Sequence, residues 1–228
     1  MIDALIVAAG KGLRMQAKQR KQYMELAGRP ILSRTLLMFD RHSDIDRIFV
    51  ALPEDDIEFC RKTMIKPAGL RKAMHLVAGG SHRQASVLNG LRSIPETDGI
   101  VLIHDGVRPL VTHALISACI AGARTWGACI PAIQVLDTLK KVNPHDCIER
   151  TVDRERICMA QTPQAFRLAW IREAHESAVR RGWIATDDAS LLERMGTAVH
   201  VIDGLRSNLK ITRPEDLVLA EAIFQSRA

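Results

Sequence analysis

Apolar residues along this chain fall into short unbroken runs, separated by longer stretches in which they recur every three or four positions. The runs Ala4 to Ala8, Ile45 to Leu52, His75 to Ala78, Ile100 to His104 and Ala128 to Ala132 are continuous rather than alternating, the mark of strands buried on both faces. Between them, Pro30 to Phe39 sets Ile31, Leu32, Thr35, Leu36 and Phe39 on one helical face, and Ser81-His82-Arg83-Gln84 has capping-box spacing ahead of Val87, Leu88 and Leu91. Thr212-Arg213-Pro214-Glu215 repeats that spacing, with a proline in the first turn and Leu217, Val218, Ala220, Glu221 and Phe224 following at a helical period. This alternation predicts an α/β fold, a Rossmann-like, doubly wound, mostly parallel sheet with right-handed crossovers. Ligands bind such sheets at the carboxyl ends of the strands. Chemistry is therefore expected in the loops that leave the strands.

One stretch breaks the alternation. Residues Gln134 to Ile157 hold two polar β-like runs, Val135 to Val142 and Cys147 to Val152, joined by the turn-forming Asn143-Pro144-His145-Asp146. They predict a β-hairpin arm over 134–157 that projects from the sheet and carries Lys140, Lys141, Arg150, Arg154 and Arg156. A lone hairpin is marginal in water, which favours a dimerisation element over a solvated excursion. No repeat, low-complexity tract or Gly/Ser linker divides the chain, so residues 1–228 are expected to form one domain.

Composition narrows the partners. With 47% hydrophobic and 25% charged residues the chain has the balance of a soluble globular protein, and no apolar run approaches the ~18 residues of a membrane helix. The N-terminus lacks the basic segment and cleavage site of a secretory leader, so a cytoplasmic protein without a membrane partner is expected. Five cysteines lie at Cys60, Cys119, Cys129, Cys147 and Cys158, with no C-x-x-C spacing and no histidine at zinc-finger distance; they read as reduced packing thiols. The 32 basic and 26 acidic residues leave a net charge of +6, which suits anionic ligands. Aromatics make up only 4%, and Tyr23 alone accompanies the basic cluster near the N-terminus. Nucleic acid would find no stacking platform there, so small phosphorylated ligands are expected.

The first strand runs into Ala8-Ala9-Gly10-Lys11-Gly12-Leu13-Arg14-Met15. Two glycines and small alanines allow backbone N–H groups close to phosphate oxygens; the glycines alone fit an empty strand-to-helix turn equally well. Met15 breaks the G-x-G-x-x-G dinucleotide pattern, and G-x-x-x-x-G-K-[ST] occurs nowhere. Lys11, Arg14, Lys18, Arg20 and Lys21 place five cations within eleven residues. A charge run is usually a solvated face, but this one follows a glycine turn at a crevice and suits a triphosphate. Nucleotidyl transfer brings two anionic phosphates together, and each like-charge pair at ~4 Å costs ~1 to 4 kcal/mol at surface and water dielectrics. Fixed cations offset that repulsion.

A second constellation is Val101-Leu102-Ile103-His104-Asp105-Gly106-Val107-Arg108-Pro109, an apolar strand ending in a carboxylate. Asp105 is the metal candidate, since Mg²⁺ takes one or two carboxylates together with substrate phosphates; a helix cap or a bond to Arg108 is the alternative. His104, with no second histidine or cysteine at ligand spacing, is expected to pack or bond locally. At Gly79-Gly80-Ser81-His82-Arg83-Gln84-Ala85-Ser86 a strand ends in glycines before a helix, which suits recognition of a base or ribose. Thr186-Asp187-Asp188 and Asn208-Leu209-Lys210-Ile211-Thr212 are polar clusters that, alone, are more often caps than sites.

In order along the chain, the loop Ala8 to Met15, Lys21-Gln22-Tyr23, Gly79-Gly80 with Arg83 and Ser86, His104 to Pro109, Asp137-Thr138, Thr151-Val152-Asp153-Arg154, Gln161-Thr162-Pro163-Gln164, Thr186-Asp187 and Asn208 to Asp216 together resemble the signature of 2-C-methyl-D-erythritol 4-phosphate cytidylyltransferases. The resemblance spans nearly the whole chain; its first two motifs are shared with other sugar-phosphate nucleotidyltransferases, while the set Thr151 to Arg154, Gln161 to Gln164 and Asn208 to Asp216 is much more specific. Ribitol-5-phosphate cytidylyltransferases are the nearest alternative, and a non-catalytic nucleotide-binding or nucleic-acid-binding module is a more remote one. The resemblance implies an enzyme in which the phosphate of methylerythritol phosphate attacks the α-phosphate of CTP with Mg²⁺ as cofactor. It implies that Arg14 and Lys21 stabilise the transition state and that Arg154 and Lys210 fix the attacking phosphate. Ala8, Ala9, Gly10, Lys11, Gly12, Gly79, Gly80, Arg83, Ser86 and Asp105 would hold CTP and the metal, and Arg108, Thr138 and Thr186 would contact the polyol. It further implies a homodimer whose arms carry Thr138 and Arg154 into the neighbouring site. The family's usual proline before Lys21 is Arg20 here, which bears on where Lys21 sits. The chain stops at Ala228, so the cyclodiphosphate synthase fused to some relatives is not expected.

Overall fold

The computed structural model describes residues 1–10 and 20–227. β1 (Ile2–Val7) is followed by a small hairpin, β2 (Glu25–Leu26) and β3 (Arg29–Pro30), then α1 (Ile31–Asp40) and β4 (Arg47–Leu52). Short helical pieces α2 (Ile57–Cys60) and α3 (Lys66–Ala68) precede β5 (Ala73–Ala78); α4 (Arg83–Ser93), β6 (Ile100–Asp105), α5 (His113–Trp126) and β7 (Ala128–Gln134) come next. After β8 (Leu139–Val142), β9 (Ile148–Val152), β10 (Cys158–Ala160) and β11 (Gln164–Arg167), the chain closes with α6 (Leu168–Arg181), α7 (Ala189–Arg194), β12 (His200–Asp203) and α8 (Pro214–Gln225).

β5, β4, β1 and β6 lie side by side in that order, all parallel. β11 enters antiparallel between β6 and β7, while β10 and β12 also pair with β7, β12 in parallel. Helices cover both faces, which explains the unbroken apolar runs. On β1, Ala4 and Ile6 join a core with Leu32, Leu36 and Phe39 of α1 and Ile116 and Cys119 of α5. Leu5, one residue out of phase, joins Val87 and Leu91 of α4 and Ile171 and Ala174 of α6 on the opposite face. No position on such a strand faces water, so the period-2 signal vanishes.

The predicted strands and main helices are present with ends shifted by a few residues, but the helix starts differ in detail. At α4 no side chain caps the helix: His82 is the N-cap, and Ser81 Oγ pairs with His82 Nδ1 at 2.9 Å. At α8 the capping carboxylate is Asp216 rather than Glu215; its Oδ2 accepts from Thr212 N and Oγ1, both at 2.7 Å, and from Arg213 N at 2.8 Å. β8 and β9 pair only with each other as a two-stranded sheet. Their turn is closed by Asn143 Oδ1, which accepts from His145 N and Cys147 N. β7 and β10 continue this hairpin at its base, with Gln134 opposite Cys158. Among the described residues no helix is long and apolar enough to cross a membrane, and all five cysteines are free thiols.

His104, near the end of β6, is fully buried beside Phe39, with ring centroids 4.9 Å apart. Its Nε2 lies 3.1 Å from Arg108 O and its Nδ1 lies 3.0 Å from Thr162 Oγ1, which also accepts from Asp105 N at 3.2 Å. A carbonyl can only accept, so Nε2 carries the proton and Nδ1 accepts from the threonine hydroxyl. Burial pushes the imidazole down to about 4 from its ordinary 6.5. Between those values the unfolded chain binds a proton that the folded chain refuses, so stability falls as pH drops from 6.5 to about 4. The residue's share is on the order of 3 kcal/mol. Urea unfolding at pH 7 and pH 4.5 should show a clearly smaller pH-dependent loss for His104→Asn than for the parent; equal losses would contradict this origin.

Candidate active site

Four strand ends, those of β1, β4, β5 and β6, meet at the carboxyl edge of the sheet and are tied to each other by backbone bonds. Ala8 N donates to Ala51 O at 2.8 Å, Gly79 N to Leu52 O at 2.7 Å and Gly106 N to Val7 O at 2.9 Å. The loops approach so closely that side chains are excluded. A Cβ on Gly79 would stand 2.3 Å from Ala9 Cβ, one on Gly80 2.4 Å from Ala85 Cβ and one on Gly106 2.9 Å from Ala8 Cβ. None of the three has positive φ, so space rather than backbone conformation selects glycine here.

Beside this junction opens a cavity of about 380 Å³. Ala8, Ala9 and Gly10 form one side, Lys21 and Gln22 a second, and Gly80 to Arg83 with Ser86 a third; Asp105 and Lys210 close it. The amino end of α4, where backbone N–H groups have no helical partner, lies on this wall. Ser86 Oγ accepts from Gly80 N and donates to His82 O, both at 3.0 Å, and so holds the glycine loop against its own helix. Gln22, fully buried, donates from Nε2 to Ala8 O at 2.8 Å and Gly10 O at 3.2 Å. The turn that carries Lys21 is thereby fastened to the strand-exit loop.

Asp105 is the electrostatic centre. Its Oδ1 lies 3.1 Å from Arg83 Nε and its Oδ2 2.7 Å from Lys210 Nζ, with Arg108 Nε at 3.9 Å. Burial alone would raise the carboxyl's pKa, but Arg83 and then Lys210 outweigh it, holding the group well below the usual carboxylate range. Arg83 is shared: its Nη1 lies 2.8 Å from Oδ2 of the buried Asp188, whose Oδ1 meets His175 Nε2 at 3.1 Å. A chain of alternating charge thus runs from Asp188 through Arg83 and Asp105 to Lys210, with the His175 ring hydrogen-bonded to its buried end.

Of the residues singled out in the sequence, the structure gathers Ala8, Ala9, Gly10, Lys21, Gly80, Arg83, Ser86, Asp105 and Lys210 around this cavity, with Gly79 packed behind Ala9. Lys11, Gly12 and Arg14 lie outside the described residues. Arg108 does not line the cavity; it is buried behind Asp105 and donates from Nη1 to Asn208 O at 2.6 Å. Thr138, Arg154 and Thr186 are exposed and also stand apart from it, Arg154 bonding Leu136 O within its own hairpin. Arg20 has φ −63° and ψ 137°, within the range that proline imposes, so its backbone follows the path a proline would set before Lys21.

Residues that the sequence left unassigned hold the walls. Gln161 spans the loop that carries Lys210: its Nε2 donates to Leu205 O at 2.8 Å and its Oε1 accepts from Leu205 N at 3.1 Å. Gln164 does the same for the start of α7, accepting from Asp188 N and Ala189 N and donating to Asp187 Oδ2. Two glutamines in a buried segment around a proline were the available signal, since a buried carboxamide needs partners on both of its ends.

Among the described residues no group of three or more His, Cys, Asp or Glu side chains is placed to hold a metal, so the donors do not form a resident cage. Asp105 supplies one carboxylate, and both residues on its oxygens reach in from partly exposed positions. That set fits Mg²⁺ carried in on a polyphosphate, which needs only one or two protein carboxylates.

A sequence model of the 2-C-methyl-D-erythritol 4-phosphate cytidylyltransferase family matches residues 2–226. The chain is 50% identical over 226 residues to the 2-C-methyl-D-erythritol 4-phosphate cytidylyltransferase of Syntrophotalea carbinolica, covering 99% of this chain and 97% of that one. The enzyme of the same name from Syntrophus aciditrophicus is 46% identical over 224 residues, covering 98% and 96%. The crystal structure of 4-diphosphocytidyl-2C-methyl-D-erythritol synthase from Anaerococcus prevotii superposes with a TM-score of 0.86 at 33% identity, covering 98% of this chain and 96% of that one. The strand-end cavity with its carboxylate and converging cations therefore belongs to an enzyme fold, and this chain is a member of the 2-C-methyl-D-erythritol 4-phosphate cytidylyltransferase family.

Proposed function

We infer that this chain joins CTP to 2-C-methyl-D-erythritol 4-phosphate, giving 4-diphosphocytidyl-2-C-methyl-D-erythritol and pyrophosphate, a step of non-mevalonate isoprenoid synthesis. The observation that carries the reading is the cavity in which backbone of Ala8 to Gly10 and Gly80 faces Lys21, Arg83 and Lys210 around Asp105. An oxygen of the methylerythritol phosphate forms a bond to the α-phosphorus of CTP, the bond to the bridging oxygen breaks, and pyrophosphate leaves with that electron pair. Both reactants are anionic, so the chain's work is to bring them together and neutralise them. Ala8 to Gly10, Gly80 and Ser86 hold the nucleotide, with Gly79 backing Ala9 from behind. Lys21, with Arg14, stabilises charge on the α-phosphate, and Lys210 orients the attacking phosphate. Mg²⁺, held by Asp105 and the triphosphate, supplies further charge neutralisation when bound.

The hairpin supports a homodimer. Leu136, Val142, Ile148 and Met159 are all exposed on it or at its base, Val142 lying opposite Ile148, and large apolar side chains left in water favour a partner surface. Arg154 and Thr138 do not line the cavity of their own chain, which suits their delivery to a neighbour's. Arg108 would serve the polyol through Asp105 and the Asn208 loop rather than by lining the site.

Three measurements bear on this reading. Pyrophosphate release from CTP and Mg²⁺ should be faster with methylerythritol phosphate than with ribitol 5-phosphate; the reverse order would move the chain to the ribitol class. Gly79→Ala, whose new methyl would collide with Ala9, should raise KM for CTP by roughly ten-fold or more, a displacement effect of the size expected when a binding loop shifts by a fraction of an ångström; an unchanged KM would remove that loop from nucleotide binding. Finally, Arg154→Ala and Lys21→Ala subunits, each nearly inactive alone, should recover activity on mixing, because a mixed dimer holds one intact site. No recovery despite proven subunit exchange would rule out sharing.

A further inference from the structure

The Lys21–Tyr23 turn brings Lys21 and Gln22 to the cavity wall, yet it is only three residues long and pairs with no strand. Beside the packing of Tyr23 in the core, side-chain bonds hold it on both sides. Gln22 supplies one set, to the loop beneath. The other set converges on Asp56, at the end of the short turn Glu54–Asp56 that leaves β4 and outside the cavity lining. Asp56 Oδ2 accepts from the Tyr23 hydroxyl at 2.7 Å and lies 2.9 Å from Arg20 Nε. Tyr23 is buried with Phe59 edge-on at 5.6 Å, and burial, then Cys60 and Asp56, keep its phenol protonated and therefore a donor.

One carboxylate oxygen thus binds the residue immediately before Lys21 and the residue two places after it. That bridge closes a ring around the Lys21 backbone and fixes the direction in which its side chain leaves the turn. We propose that Asp56 is a positioning residue of the nucleotidyl-transfer reaction, acting at a distance from the substrates by clamping Arg20 and Tyr23 on either side of Lys21. The proposal rests on Lys21 being the transition-state cation described above.

The test is a double-mutant cycle on the full-length enzyme with saturating CTP, Mg²⁺ and methylerythritol phosphate, thermal midpoints being recorded for each variant. Asp56→Ala should lower kcat at least about ten-fold while KM for CTP stays within roughly three-fold, the pattern of a misplaced transition-state contact. In a Lys21→Ala background the same substitution should change kcat by less than about two-fold, because the group it positions is gone. Arg20→Pro added to Asp56→Ala should return kcat toward the parent value, since proline locks the φ that Arg20 already adopts. If Asp56→Ala does not fold, Asp56→Asn, which keeps the shape and removes the charge, carries the same cycle. An unchanged kcat in folded Asp56 variants, or an equal loss with and without Lys21, overturns the clamp. A parent-like kcat in Lys21→Ala alone overturns instead the reading of Lys21 on which the clamp depends.

Discussion

A buried carboxylate must be compensated, and much of this structure is arranged around meeting that demand at Asp105. Stripping a charge of water costs several kcal/mol even after relaxation, and removing one partner of a buried ion pair typically costs ~3 to 5 kcal/mol. The compensation comes from three separate parts of the chain: Arg83 at the start of α4, Arg108 in the loop after β6 and Lys210 in the loop before α8. The same charge requirement that holds these parts together assembles the cavity wall. It also leaves Arg83 and Lys210 aligned toward a single anion before any substrate arrives. A nucleotide that enters with its own negative charge meets cations already oriented, the preorganisation that electrostatic catalysis relies on.

How much of this was legible beforehand follows from the range of each interaction. The strands and crossover helices could be read because burial on both faces leaves a local trace, a continuous apolar run, and the position of Asp105 was visible because a charge ends such a run. The glycines at 79 and 80 could be seen as turn residues, but the close approach of Gly79 to Ala9 and of Gly106 to Ala8 depends on neighbouring strands and leaves no mark within a window. The pairing of Arg83 with Asp188, and of Asp188 with His175, joins α4, α7 and α6. No spacing rule connects such distant positions. Capping was half-legible for a related reason: the spacing at Thr212 pointed to the right helix start, but Asp216 reaches the backbone that Glu215 was expected to reach.

Arg20 illustrates how one backbone path can be set by different means. A proline fixes φ through its ring; here an arginine holds φ −63° with its guanidinium on Asp56. The covalent constraint is replaced by an ionic one, which ties the turn to the segment after β4 and makes its order depend on residues outside the loop.

Gln161 and Gln164 show a division of labour between holding and reacting. Apart from the bond to Asp187, their carboxamides join neutral partners, gripping the Leu205–Asn208 loop on one side and the start of α7 on the other. Neutral bonds are little affected by ionic strength, by proton uptake or by the arrival of a highly charged ligand. Lys210 and Asp188, which must respond to charge, hang from segments whose attachment to these two glutamines does not. The site can therefore exchange one set of ion pairs for another during turnover without loosening the scaffold on which those ions are mounted.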